Sequence, residues 1–242
     1  MKRSAGRKCV SIIIPTLNEE RNLKALLGSL RMQLQKNDEI IIVDSHSTDR
    51  TRNVARRYGC RVMTVPAEGI AAAKNAGAKA ARNSTIAFLD ADSTVGDGWL
   101  DGLKGHLLHG RAASAVAGID LYSSDSAARE RVYNIYSASV FHLARAIYAL
   151  GGRPWLPANN CAMRRSLFLK IGGFSNVVCE DAELMRRWPT DARVLYDNGI
   201  RVTLSDRRFR KNGFLRTLLV WTAGDIRAWR GAGTDAKNYG RV

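Results

Sequence analysis

The decapeptide IAFLDADSTV (86–95) runs an apolar stretch straight into two carboxylates, Asp90 and Asp92, separated by one alanine. In an extended chain, residues two apart leave the same face, so the two carboxylates point together and repel. A hard divalent cation relieves that conflict, because Mg2+ takes oxygen ligands and commonly binds one or two carboxylates together with substrate phosphates. An isolated D-x-D is short, and two acids solvating a turn would also produce it. A second acidic pair, Glu180 and Asp181 in CEDAEL (179–184), opens an apparent helix, where acids also complement the helix dipole. A basic run, SDRRFRKNG (205–213), holds Arg207 and Arg208, whose guanidinium groups suit phosphate through paired hydrogen bonds. A solvated basic loop would have the same composition.

The elements that must position these groups follow from periodicity. CVSIII (9–14) reads as a buried strand, and the next segment sets Leu23, Leu26, Leu27, Leu30 and Leu34 on one helical face. EIIIVD (39–44) is a second strand, followed by the cap-rich loop SHSTD and a helix over RTRNVARRYG that Gly59 closes. CRVMTV and IAAAKNAGAKAA make a third unit, and TIAFLD (85–90) supplies a fourth strand. Strands alternating with helices predict an α/β fold with a mainly parallel central sheet covered by helices on both faces. Ligands of such sheets gather at the carboxyl ends of the strands, so residues 15–19, 44–49 and 90–92 should converge on one edge. Beyond residue 110 the rhythm loosens. AASAVAGI reads as a strand, 126–150 as a helix, GGRPWLP as a loop, and 193–204 as two short strand-like runs.

Composition narrows the partners. Lysine and arginine outnumber aspartate and glutamate by 38 to 22, and the formal charge of +16 favours an anionic partner such as a phosphorylated small molecule, a membrane or nucleic acid. A nucleic-acid binder explains the charge but not the acids gathered at strand ends, which would repel a phosphate backbone. The four cysteines form no C-x-x-C and the four histidines no H-E-x-x-H, which argues against a zinc site or a disulfide framework and fits a reducing compartment. No apolar run reaches the ~18 residues of a membrane span, and MKRSAGRK (1–8) lacks the apolar stretch of a signal peptide. A soluble or peripheral chain on the cytoplasmic face of a membrane is the expectation.

Several ordered blocks together resemble the family 2 glycosyltransferases of GT-A fold. SIIIPTLNEE is similar to their opening strand and nucleotide loop, IIIVDSHSTDRT to the second, and GIAAAKNAGAKAARNSTIAFLDADS to the block leading into their D-x-D. NNCAMRRSLFLKIGGF followed by CEDAEL is similar to their acceptor side. The resemblance implies a donor site for a UDP- or GDP-sugar lined by Pro15, Thr16 and Glu19, with Asp44 on the base or ribose and Lys74 near the nucleotide. It implies that Asp90 approaches ribose and metal, that Asp92 binds Mg2+ or Mn2+ directly, and that Asp181 is the general base of an inverting transfer, with Glu180 orienting it. The basic run resembles that of polyprenyl-phosphate sugar synthases, which places Arg207 and Arg208 on the donor phosphates. Two departures stand out: Asp44 is followed by Ser45 where many relatives have a second aspartate, and VTLSDRRF (202–209) lacks the histidine that many give to the metal, leaving Asp206 as a substitute. His46 reads as an exposed loop residue.

The resemblance divides the chain into a transferase domain over 1–210 and a basic amphipathic segment over 211–242. Within the latter, GFLRTLLVWTAGDIRAWR (213–230) suits either packing on the domain or lying on an anionic membrane, where it would bring the site to a lipid-linked or polyprenyl-phosphate acceptor. One rival enzyme reading uses the same residues: FLDADST also fits the D-x-D-x-T of haloacid-dehalogenase-like phosphatases, with Asp90 as nucleophile and Asp92 as acid/base. That motif normally opens its domain, whereas here three strand-helix units precede it.

Overall fold

A computed structural model describes residues 9–109 and 113–232. The first half repeats strand and helix: β1 (Val10–Thr16), α1 (Glu20–Arg31), β2 (Glu39–Asp44), α2 (Thr51–Arg57), β3 (Arg61–Thr64), α3 (Ile70–Ala80) and β4 (Thr85–Leu89). The second half contains β5 (Ser93–Val95), α4 (Trp99–Lys104), a π-helical turn (Gly105–His109), β6 (Ala115–Ser123) and the long α5 (Ala127–Ala149). It continues with β7 (Asn160–Arg164), α6 (Arg165–Lys170), α7 (Glu180–Arg186), β8 (Val194–Ser205), α8 (Arg207–Asn212) and α9 (Phe214–Trp229).

Among the described residues eight strands join one sheet in the order β3-β2-β1-β4-β7-β6-β8-β5. β3, β2, β1 and β4 run parallel, as does the β6–β8 pair, while β7 is antiparallel to both its neighbours and β5 is antiparallel to β8. The parallel expectation therefore holds for the first four strands and needs these reversals beyond them. Helices cover both faces, and for that reason β1 and β2 are apolar at nearly every position. Ile12, Ile14, Ile40 and Ile42 enter one core cluster and Ile13, Ile41 and Val43 the other. Leu23, Leu26, Leu27 and Leu30 of α1 are fully buried against the first cluster, each contributing roughly 2 kcal/mol. α3 packs close on β1 and β2 because it carries Gly77, where a Cβ would lie 2.5 Å from Ile13 and 2.9 Å from Val43.

Three features depart from the sequence reading. The two strand-like runs over 193–204 are one strand, β8, which keeps pairing with β6 across a register shift at Gly118/Ile119. Unforeseen β5 begins one residue after the D-x-D and pairs Ser93–Val95 with Val202–Leu204. The division at 210/211 falls inside α8, and α9 packs against α7 and α8. Residues 233–242 of the basic segment lie outside the described residues, and within the described residues no helix is long and apolar enough to cross a membrane.

Candidate active site

The loops after β1 and β2 are stitched to each other. Asn18, at φ 57°, accepts the Thr48 amide on its side chain at 2.8 Å, and its own amide donates to Ser47 Oγ at 2.9 Å. The Glu19 amide donates to Thr51 Oγ1 at 2.8 Å and the Arg50 amide to Glu20 at 2.8 Å. Beneath them Asp44 is fully buried, accepting from the Ser47 amide at 3.0 Å and from the Thr16 hydroxyl at 3.4 Å, with Arg52 3.7 Å away. Pro15 and Thr16 are buried as well. These three therefore form the floor of the two loops, and Asp44 presents no free carboxylate to a ligand. His46 is exposed in the loop, as its setting implied.

The D-x-D turn leaves β4 beside two other groups of charge. Ser205 donates its amide to the Asp92 carbonyl at 3.2 Å, and the β5–β8 pairing brings the start of α8 over the turn. Arg207 thereby bridges Glu19 at 3.1 Å and Asp92 at 3.2 Å. Burial and the neighbouring Asp90 carboxylate still push Asp92 up to about 6, with Glu19 adding to the rise and Arg207 and Arg208 opposing it.

On the other side of the turn, Lys74 of α3 is buried and reaches three acceptors: the Ala158 carbonyl at 2.9 Å, Asp90 at 3.2 Å and Glu180 at 3.5 Å. Burial works to lower its pKa, but Asp90 and Glu180 outweigh it and hold the ammonium charged. Asp90 Oδ1 is buried and has this ion pair but no hydrogen bond.

Glu180 and Asp181 open α7 just after Cys179, whose left-handed backbone (φ 60°) turns the chain into the helix. Asp181 is held well above the ordinary carboxylate range by burial and by the Glu180 and Asp225 carboxylates. The third acid of the same helix behaves differently: Glu183 is tied to Arg187, Arg186 and Ser175, so it anchors α7.

The structure thus assembles two adjoining clusters: Glu19, Asp92 and Arg207, with Arg208 close enough to act on Asp92, and Lys74, Asp90, Glu180 and Asp181. Two acids were not foreseen. Asp120 of β6 accepts from Asn159 at 3.1 Å on one oxygen, leaves the other buried without a hydrogen bond, and is pushed up to about 7 mainly by burial, Asp90 adding to the rise. Asp225 of α9 acts on Asp181 and Cys179. The apolar run AVAGI of β6 could have flagged Asp120, which follows that run as Asp90 follows β4. Asp206 does not stand in for the missing histidine: it is buried, accepting from Ser124 at 2.6 Å and pairing with Arg210 at 2.8 Å.

Among the described residues no three His, Cys, Asp or Glu side chains form a ready metal centre. What is present is a surplus of carboxylate, visible in the unbonded oxygens of Asp90 and Asp120 and in the raised Asp92. That donor set fits a cation completed by phosphate oxygens.

The chain is similar to known glycosyltransferases. The glycosyl transferase family 2 model matches residues 11–172. A Bacillus subtilis protein named "Probable glycosyltransferase YdaM" is 29% identical over 197 residues, covering 74% of this chain and 46% of that relative. Glycosyltransferase AglE of Haloferax volcanii is 30% identical over 100 residues, covering 38% and 33%. The chain spans less than half the length of these relatives. Glucosyl-3-phosphoglycerate synthase from Mycobacterium tuberculosis, solved with Mn2+, uridine diphosphate and phosphoglyceric acid, superposes with a TM-score of 0.63 at 20% identity over 93% of this chain and 78% of that one. The mannosyltransferase PcManGT of Pyrobaculum calidifontis, solved with GDP-Man and Mn2+, gives 0.65 at 20% identity over 90% and 64%. These folds confirm the GT-A architecture. The family match runs from within β1 through β2, β3, β4 and the D-x-D, which leaves no place for the phosphatase reading, and the chain belongs to glycosyl transferase family 2.

Proposed function

We propose that this chain moves a sugar from a UDP- or GDP-sugar to an acceptor with inversion at the anomeric carbon, the acceptor being lipid-linked or a polyprenyl phosphate at a membrane surface. The reading is carried by the meeting of Asp90, Asp92, Lys74, Glu180 and Asp181 at the edge where β1, β2 and β4 end. The nucleotides in the two solved relatives support the choice of donor.

The stitched loops of residues 15–19 and 44–51 form the wall for the nucleotide, with Pro15, Thr16 and Asp44 acting by holding that wall rigid. Asp92, with Asp90 beside it, would hold Mg2+ or Mn2+, which supplies neutralisation of the charge developing on the departing diphosphate. Arg207 has two acids as partners now and a guanidinium fork that fits phosphate, so donor binding lets it exchange Asp92 for the diphosphate, assisted by Arg208. Lys74 fixes Asp90 and Glu180 in place. Asp181 takes the proton of an acceptor hydroxyl during attack, and Glu180 orients it. An acceptor phosphate is already ionised, and toward it Asp181 has a positioning role.

A thermal-shift series with UDP-, GDP- and dTDP-sugars, with and without Mn2+ or Mg2+, tests this. A ligand that binds the folded state at 100 times its Kd adds about 2.7 kcal/mol. One nucleotide should raise the midpoint only with cation present, and Asp92→Ala should erase that cation-dependent part. No shift with any pair, or a full shift in Asp92→Ala, overturns the reading.

A further inference from the structure

Helices α5 and α9 each keep one face on the body of the protein and leave an apolar stripe outside. On α5, Tyr133 and Phe141 are buried, and Ser137 donates to the Asp120 carbonyl at 2.6 Å. Val132, Ile135, Leu143, Ile147 and Leu150 remain exposed at helical spacing, Leu150 at 89%. On α9, Thr217, Gly224 and Ala228 are buried, and Gly224 is needed there because a Cβ would lie 2.6 Å from Cys179 Sγ. Leu215 is 74% and Leu219 71% exposed, and Ile226 and Trp229 continue the same stripe.

The two helices touch where α9 begins: the Phe214 ring lies 5.0 Å from Tyr133 and 5.6 Å from Tyr136, on the side of α5 that adjoins its apolar stripe. The exposed charges of the two helices are of one sign. Arg131 and Arg145 of α5 and Arg216, Arg227 and Arg230 of α9 are all exposed. The acids of the two helices turn away: Glu130 accepts the Ser124 amide at 3.0 Å, and Asp225 faces Cys179 and Asp181. Exposed leucine, isoleucine and tryptophan with a cationic rim match a lipid surface of negative headgroups, which takes apolar side chains at the headgroup boundary and attracts each nearby arginine.

We propose that the exposed apolar stripes of α5 and α9, with their arginines, dock on an anionic phospholipid bilayer. The inference deepens the membrane-surface part of the proposed function. On its other side α5 reaches the Asp120 backbone through Ser137, and α9 carries Asp225, whose charge acts on Asp181, so both helices connect to residues around the site. A lipid-borne acceptor would then enter the site from the surface on which the protein rests.

Sedimentation of the full 242-residue chain with phosphatidylglycerol/phosphatidylcholine vesicles, and with phosphatidylcholine alone, tests this. The chain should pellet with the anionic vesicles and be released by salt. The pairs Ile135→Glu with Leu219→Glu, and Arg216→Glu with Arg227→Glu, should each lower partitioning by roughly tenfold or more. All four positions are exposed, so the thermal midpoint should stay unchanged. Absence of pelleting, equal pelleting with both vesicle types, or variants that pellet like the parent each overturn the proposal. So does a dimer in vesicle-free ultracentrifugation that the Ile135/Leu219 pair dissolves, since a second copy would then be the occupant. Vesicle binding that survives alongside a failed nucleotide thermal shift supports the docking face and counts against the sugar-transfer reading alone.

Discussion

The loops that close β1 and β2 and the helices that close the other side of the cleft handle polar groups in opposite ways. In the first region the polar side chains have local partners: Asn18, Glu20, Asp44 and Asp49 each accept from a backbone amide of the facing or same loop. In the second, Asp90 and Asp120 keep unbonded oxygens, Asp181 is held above its ordinary pKa, and apolar side chains stand in solvent. A pre-formed wall can receive a nucleotide without rearranging, whereas carboxylate oxygens without a hydrogen bond and bare apolar surface record partners that arrive from outside. If that contrast is right, substitutions in the second region should damage function and spare the fold, and substitutions in the first should do the reverse.

The largest effect is expected at Asp181. Asp181→Asn should lower transfer to a hydroxyl acceptor by about 10³-fold, as removal of a general base does, while nucleotide binding by thermal shift persists. The pH profile sharpens this. Asp181 works deprotonated, and burial with the Glu180 and Asp225 charges raises its pKa, so the rising limb of activity should lie well above the pH of ~4 set by a free carboxyl. Asp225→Asn removes one of those charges and should move the limb to lower pH. A limb that stays in place would break the link between α9 and the site.

Lys74 tests the junction of the two regions. Lys74→Met leaves the half-buried Asp90 and Glu180 without their shared cation and should cost about 2 kcal/mol in urea unfolding. Asp120 adds a pH signature to the same measurement. Its folded pKa, about 7, is above the unfolded ~4, so the folded state binds more protons and stability falls as pH rises through that window. The slope should flatten when nucleotide and Mn2+ are bound.

What the sequence made legible tracks how local the cause is. β2 spans Glu39–Asp44 in the structure as its apolar run implied, because alternation between two buried faces is written in consecutive residues. The D-x-D, Lys74 and Glu180 were found because each lies in a recognisable block. Asp120 and Asp225 were not. Their chemistry comes from neighbours far along the chain: β6 reaches the site by pairing with β7 and β8, and α9 by packing on α7 and α8. The Arg207 contact with Asp92 depends likewise on the three-residue β5, too short to show a period.

A smaller effect is expected where Arg207 now bridges Glu19 and Asp92. A cation approaching Asp92 without nucleotide must first displace that guanidinium. Arg207→Ala should therefore tighten Mn2+ binding to the nucleotide-free chain by roughly tenfold, the scale of one charge-assisted hydrogen bond, read by calorimetry. Weaker metal binding in the variant would mean that Arg207 helps to build the cation site.

The smallest effect belongs to the stitched wall, and it is the sharpest test of the contrast. Thr51→Val keeps the shape of a fully buried side chain but removes the hydroxyl that accepts the Glu19 amide and donates to Asp49. An amide left without a partner costs about 1–2 kcal/mol, so the urea midpoint should fall by that amount. Nucleotide affinity should follow only weakly, because Asn18, Ser47 and Thr48 still join the two loops. A variant with normal stability and a lost nucleotide would mean that this wall, too, is arranged around its ligand and that the two sides of the cleft do not differ in kind.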